Sequence, residues 1–117
     1  METLRPALAA YLRSLDARGR RKRHRAAARL DQAHRERQHE IALLLQRRAG
    51  AADDADRVAI ARISDCARAA RRTYCELAES GRRSGGEDRR ELAMRYAAAS
   101  MELDATVDET AAARLTR

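Results

Sequence analysis

Residues 18–25 of the chain, RGRRKRHR, decide how the N-terminal part of the molecule folds. This stretch separates two apolar stripes, in each of which the apolar residues recur with the periodicity of one face of an α-helix. The stretch itself contains no apolar side chain that could enter a core. The flanking stripes are Leu4, Leu8, Tyr11, Leu12 and Leu15 before it, and Ala26, Leu30, Ala33, Ile41, Leu44 and Leu45 after it.

The two stripes would lie on the same side of one helix running from residue 4 to residue 48, at about 100° per residue. A helix of about 45 residues would be about 68 Å long, at ~1.5 Å per residue, which is too long for a compact domain of this size. Gly19 lies inside the interruption, and glycine costs about 1 kcal/mol relative to alanine in a helix interior. We therefore expect a break or kink near residues 18–20, with one long helix as the alternative.

Capping residues mark the other helix ends. Thr3 is a good N-cap for the first helix, and Gly50 is expected to end the segment that follows the basic stretch, as a C′ glycine. Asp53 or Asp54 then caps the next helix. We expect that helix to run to about Ser80, with a buried stripe of small and large apolar residues. Its members are Ala59, Ile63, Cys66, Ala67, Ala70, Tyr74 and Leu77.

Gly81 is predicted to stop this helix, and the sequence GRRSGG at residues 81–86 is typical of a flexible loop. The last helix should cover roughly residues 87–114, with Glu87 and Asp88 in its first turn. Its buried stripe is predicted to be Leu92, Tyr96, Ala99, Leu103, Val107 and Thr110.

The composition agrees with these helices. The 117 residues include 27 Ala and 24 Arg, both good helix formers, but only two Val, three Ile and three Tyr. We therefore predict an all-α fold, a helical bundle of three long helices, or four if the first breaks near Gly19. A chain of this length forms one domain, so residues 1–117 are expected to be a single helical domain.

The predicted core is thin. Leu, Ile and Val together make up only 17 of the 117 residues, and the chain has no Phe and no Trp. A thin core usually needs a partner subunit, self-association or a ligand for stability. We found no segment apolar enough to span a membrane and no secretory signal, and two cysteines are too few for a disulfide framework. A cytoplasmic location with reduced thiols is therefore expected.

Residues that could carry out chemistry are scattered. His34 and His39 are five residues apart, so on a helix they point in different directions, and we expect these two and His24 to be solvated polar histidines rather than metal ligands. Cys66 falls in an apolar stripe and Cys75 on a polar face, where no histidine is positioned to act as a base. No glycine-rich phosphate loop follows a strand. We therefore expect no catalytic residues, no metal and no cofactor, and the chain is predicted not to be an enzyme.

One basic segment accounts for the whole formal charge of +7. Residues 18–29 contain seven cations, and no acidic residue occurs from 17 to 30, whereas a solvated helix face usually alternates acids and bases. Arginine suits phosphate because its planar fork can bond two oxygens. We interpret this segment as a nucleic-acid-binding site, in preference to a site for an acidic protein or a solvated face. The predicted contacts are Arg18, Arg20, Arg21, Lys22, Arg23, Arg25 and Arg29.

Recognition of base sequence is not expected. The three tyrosines lie in apolar stripes, so no exposed aromatic platform for stacking bases is visible, and backbone contact with little sequence specificity is favoured. The pattern leaves open whether the ligand is RNA or DNA. Binding to a membrane is disfavoured, because bulky apolar residues do not alternate with the charges.

The last helix has a second apolar face, roughly opposite its buried stripe. Met94, Ala98, Met101 and Ala105 form this face, and Ala112 continues it. A helix that is apolar on two sides either lies at the centre of its own bundle or faces a partner. We expect a partner interface here, formed with other protein subunits or by self-association.

In size, helicity, basic charge and thin core, the chain resembles the small helical subunits of CRISPR ribonucleoprotein complexes. That resemblance implies a non-catalytic subunit that lines a filament within a larger assembly and contacts nucleic acid through basic residues, here Arg18 to Arg29. The alternative is a helical-hairpin adaptor or stalk-type protein, as in secretion systems, which binds protein partners only. One long helix over residues 4–48 would favour this alternative.

Overall fold

The computed structural model of the chain describes residues 3–16, 19–50, 53–83 and 86–115, with side chains described for all of these except 81–83, 86–87 and 112–115. Four α-helices make up nearly all of this part of the chain: α1 (Leu4–Ser14), α2 (Arg20–Ala49), α3 (Asp54–Arg83) and α4 (Gly86–Leu115). The predicted all-α fold is confirmed, and the helical bundle takes its four-helix form.

Contacts between side chains fix the order of the helices. The Tyr74 hydroxyl on α3 donates to the Asp31 carboxylate on α2 at 2.7 Å, and the Cys66 thiol on α3 lies 3.5 Å from the Thr106 hydroxyl on α4. Further contacts give the direction: Gln38 of α2 contacts Ala67 of α3, and Arg62 of α3 pairs with Glu109 of α4, so residues later on one helix contact residues earlier on the next. Consecutive helices are therefore antiparallel. α1 packs against both α2 and α4, and Asp16, two residues beyond its end, pairs with Arg90 of α4. The bundle measures 52 × 23 × 20 Å.

The first helical segment is broken. α1 ends at Ser14 and α2 begins at Arg20, with Gly19 in an extended conformation (φ −92°, ψ 120°) between them. The alternative of one long helix is therefore wrong. Folding α1 back onto α2 buries Ala7 and Tyr11, which a continuous helix of that length would leave in water.

The predicted end of the third helix is also wrong. α3 continues through Gly81 to Arg83, so residues 81–83 of the predicted loop are helical, whereas α4 (Gly86–Leu115) agrees with the predicted 87–114 to within one residue at each end. Residues 84–85 lie outside the described part. A glycine in a helix interior costs about 1 kcal/mol, and the long packing of α3 against α4 offsets this cost.

The predicted caps are partly confirmed. The Asp53 carboxylate accepts a hydrogen bond from the backbone N–H of Asp56 at 2.8 Å, so Asp53 caps α3. Thr3 stands before α1, but its hydroxyl donates to Glu36 on α2 and makes no cap bond. Gly50 follows α2 in a right-handed conformation (φ −75°, ψ −12°), so it is not the C′ glycine of a left-handed cap.

The predicted stripes form the core. Its largest fully buried side chains are Tyr96, Leu30, Ile63 and Leu103, which come from α2, α3 and α4. On α1 the buried face differs slightly from the predicted one. Ala7 and Tyr11 are buried, whereas the four leucines of the predicted stripe are only half-buried. Among the helices described, none is both long and apolar enough to cross a membrane.

His34 is buried, with only 6% of its surface exposed, so the prediction of a solvated histidine is wrong for this residue. Its ring stacks on Tyr74 with centroids 4.0 Å apart, and its Nδ1 lies 2.6 Å from the Tyr96 hydroxyl. His34 follows Leu30 by four residues and therefore lies on the same face of α2. His24 and His39 are exposed, as predicted.

Candidate nucleic-acid interface

The basic segment forms the beginning of α2. Arg20, Arg21 and Lys22 occupy the first turn, where the first backbone N–H groups of a helix have no partner within it. The helix dipole also makes this end positive, and no acidic side chain lies in the first turn to offset it. Cations at this position are unfavourable unless an anion binds, and the backbone N–H groups add donors for that anion.

The cations of this segment differ from many others in the bundle by making no ion pairs within the part of the chain that the structure describes. None of the six that the structure describes makes an ion pair with a described residue; they are Arg20, Arg21, Lys22, Arg23, Arg25 and Arg29. Elsewhere in the bundle many arginines are paired, for example Arg37 with Asp104 and Arg62 with Glu109. The basic segment therefore differs from the rest of the surface in charge balance as well as in charge density.

The last turns of α1 and the first turns of α2 enclose a groove of about 410 Å³. Four cations line it, and the residues between them are small, so that an anion can approach the backbone. The lining consists of Arg13, Lys22, Arg25 and Arg29 with Ala10, Ser14 and Ala26. Four cations around one groove, with no ion pair to any described residue, raise the local positive potential and attract polyanions. We call this surface the basic groove.

The predicted contact residues separate into two groups. Lys22, Arg25 and Arg29 recur every three or four residues and share the side of α2 that faces α1. Arg20 and Arg23 point to other sides of α2 and do not line the groove, and Arg23 is half-buried. Arg21 is exposed and does not line the groove either. Arg18 lies outside the described residues.

Arg13 lines the basic groove although it was not among the predicted contact residues. It lies on α1, outside the basic segment, and reaches the groove only because α1 folds back on α2. No ion pair joins it to a described residue. Given the break near Gly19, an antiparallel pairing of the two helices would have placed residue 13 beside the first turns of α2.

Other kinds of site find little support in the described part of the chain. No three residues among His, Cys, Asp and Glu come together there in a group that could hold a metal ion. Cys75 is exposed, as predicted, whereas Cys66 is half-buried against the core and therefore less buried than its place in the apolar stripe predicted. The carboxylates of Glu40 and Asp104 both pair with Arg37.

The second apolar face of α4 is exposed. Met94 and Met101 have 55% and 65% of their surface accessible, and Ala98 and Ala105 are exposed between and beyond them. The side chain of Ala112 lies outside the described residues. α4 is therefore not a central helix covered on both sides by its own bundle.

Comparison with protein-family models, with curated proteins and with solved structures found no match for this chain.

Proposed function

We propose that this chain is a non-catalytic, basic helical subunit that binds the backbone of RNA or DNA within a larger cytoplasmic assembly. One observation carries the proposal: four cations without ion-pair partners among the described residues line the basic groove between α1 and α2. A row of like charges without counter-ions destabilises the free protein. Binding of a nucleic acid to these cations is favourable, because it releases the counter-ions that the nucleic acid had condensed.

Phosphate is the anion that best suits these residues. Arginine contributes three of the four groove cations, and the guanidinium fork can bond two phosphate oxygens at once. The beginning of α2 adds the positive end of a helix dipole and free backbone N–H groups, a combination that favours phosphate groups.

The aromatic residues favour backbone contact over reading of bases. Tyr11 and Tyr96 are buried, and Tyr74 is half-buried and stacked on His34. The chain has no Phe or Trp that could replace them as a stacking platform. Contacts to phosphate hold a nucleic acid in place without distinguishing its sequence, so we expect similar affinity for unrelated sequences.

The resemblance to the small helical subunits of CRISPR ribonucleoprotein complexes extends this proposal to a role along a nucleic-acid filament. It rests on size, helicity, basic charge and the small core alone. Such a role requires both a backbone-binding surface and a protein-binding surface. The basic groove and the exposed face of α4 are candidates for the two.

Two charge-matched variants test the proposal. The groove variant replaces Arg13, Arg25 and Arg29 with Ala and removes three groove cations. The matched variant replaces Arg57, Arg62 and Arg68 with Ala and removes three cations from the first half of α3, which lies away from the groove. Binding to duplexes of unrelated sequence is measured across a salt series. The groove variant should lose affinity for all sequences equally, with a salt dependence shallower by up to ~0.9 per lost phosphate contact.

The matched variant should retain most of its affinity, because it carries the same net charge but leaves the groove intact. Equal losses in the two variants would reduce the proposal to a non-specific effect of net charge. Unchanged binding by a folded groove variant would refute it.

A helical adaptor that binds only protein partners remains the second candidate. The exposed Met94 and Met101 favour it, since methionine suits adaptable protein contacts. The break between α1 and α2 removes the long helix that would have favoured it further. The ratio of absorbance at 260 and 280 nm separates the candidates, because retained nucleic acid raises this ratio and an adaptor would purify without it.

A further inference from the structure

The exposed apolar face of α4 has the spacing of a helix-pairing seam. Met94, Ala98, Met101 and Ala105 follow one another at intervals of four, three and four residues, which is the spacing of the two core positions in a heptad repeat. The seam covers about 16 Å of helix at ~1.5 Å per residue. We call these four residues the methionine seam.

We propose that a second copy of this chain docks on the methionine seam, with the two α4 helices antiparallel across a two-fold axis. In that arrangement Met94 packs over Ala105 of the partner subunit, and Met101 packs over Ala98 of the partner subunit. Each layer then combines one large and one small side chain, which lets the two helices interlock evenly. Two-fold symmetry makes the same surface serve both subunits, as in most homodimers.

Charges beside the seam favour the same arrangement. Arg95 comes to lie opposite Glu102 of the partner subunit, and the symmetry repeats this pair on the other side. Within one chain, Arg95 makes an exposed pair with Glu91 at 3.0 Å, whereas Glu102 makes no ion pair with a described residue. Beyond the seam, Asp88 faces Glu109 of the partner subunit, so the like charges confine the contact to the four central layers.

A parallel pairing of the same helices is disfavoured. It places Arg90 opposite Arg95 of the partner subunit and Asp104 opposite Glu109 of the partner subunit. It also stacks methionine on methionine and alanine on alanine, which leaves the layers uneven. Like charges directly opposite each other across an interface cost free energy and suppress that arrangement.

The charge distribution of the whole bundle agrees with antiparallel docking. Residues 20–29 of α2 carry six cations and no acid, whereas residues 102–109 of α4 carry four acids and no cation. Because Tyr96 contacts His34 and Asp104 pairs with Arg37, these two segments lie towards opposite ends of the bundle. Antiparallel docking brings the basic end of each subunit near the acidic end of the other.

This inference does not depend on the proposed function, because the methionine seam and the basic groove share no residue. The double variant Met94→Glu and Met101→Glu tests the seam by sedimentation analysis over a concentration series. It should remain helical, since both side chains are exposed in the single chain, and should weaken self-association at least about tenfold.

The matched control is the double variant Leu43→Glu and Val58→Glu, which also adds two carboxylates at exposed apolar residues, on α2 and α3, and should leave self-association unchanged. A wild-type protein that is monomeric at every concentration overturns the proposal. So does a dimer that both sets of substitutions weaken equally, or that neither set weakens.

A charge exchange tests the direction of pairing. Arg95→Glu alone and Glu102→Arg alone should each weaken the dimer, because each places like charges opposite each other. The two substitutions together should restore association to near the wild-type value. If Arg95→Glu alone strengthens association, the new carboxylate is facing Arg90 of the partner subunit, and the antiparallel arrangement is wrong.

Discussion

Two tyrosines and their surroundings keep the imidazole of His34 neutral within the bundle. Burial lowers the pKa of His34 to about 4, although the nearby Asp31 carboxylate acts in the opposite direction. Burial also raises the pKa of Tyr96 to about 12, so that its hydroxyl remains protonated. The Tyr96 hydroxyl and Nδ1 of His34 share a hydrogen bond of 2.6 Å, in which the tautomer of the neutral imidazole decides which atom donates.

This arrangement predicts a loss of stability in mild acid. In the unfolded chain the pKa of His34 returns to about 6.5, so the unfolded state takes up a proton between about pH 6.5 and pH 4 while the folded state does not. The stabilising effect of the neutral imidazole is complete above that window and is lost as the pH falls through it. The free energy of unfolding should decrease by ~2 to 3 kcal/mol from this residue alone.

Urea denaturation of wild type and His34→Gln between pH 7 and pH 4 isolates this contribution from that of the carboxylates. The wild-type stability should decrease more steeply than that of the variant. The exposed His24, changed to Gln, serves as the control and should leave the wild-type pH dependence unaltered. Parallel pH profiles for wild type and His34→Gln would contradict a neutral, buried His34.

The position of His34 could have been predicted from the sequence, but its role could not. It follows Leu30 by four residues and precedes Ile41 by seven, so helical spacing places it on the buried face of α2. Its polar character suggested a solvated residue instead. Whether a buried histidine is tolerated depends on partners from other helices, here Tyr74 and Tyr96, and spacing along one helix carries no information about them.

At the scale of the helices, Gly50 does not adopt the left-handed conformation that a glycine at a helix end usually indicates. Gly50 follows α2 with right-handed backbone angles, and a Cβ atom built there would meet no other atom within 4 Å. A right-handed conformation is open to every L-residue, so glycine has no conformational advantage at this position.

Gly50→Ala should therefore stabilise the protein, by about 0.5 to 1 kcal/mol, because alanine reduces the conformational entropy of the unfolded chain without straining the folded one. The midpoint of urea denaturation measures this change. A decrease in the midpoint would contradict the right-handed geometry, because alanine is destabilising where φ is positive.

Helix identity and most buried stripes followed from the sequence, because amphipathic spacing records which side of a helix avoids water. The end of α3 did not, because packing between α3 and α4 outweighs the low helix propensity of Gly81. Only the α2 side of the basic groove was predicted from the sequence. Its cations on α2 were visible in the sequence, whereas Arg13 joins them through the way α1 folds back on α2.

At the scale of the whole molecule, the short α1 places the candidate nucleic-acid site towards one end of the bundle. With 11 residues against 30 in each other helix, α1 covers only the part of α2 that begins with the basic segment. The basic groove therefore lies towards that end of the 52 Å long axis, and the acidic segment of α4 lies towards the other. If nucleic acid binds in the basic groove as proposed, this separation leaves the methionine seam free for a second subunit.

The central claim is that nucleic-acid backbone binds in the groove between α1 and α2. Titration of ¹⁵N-labelled protein with a short duplex of arbitrary sequence, followed by amide chemical shifts, tests the location directly. We predict saturable shifts in the last turn of α1 and the first three turns of α2, which salt reverses and a second duplex sequence reproduces. Absence of shifts, or shifts confined to α4 and the first half of α3, would contradict the claim.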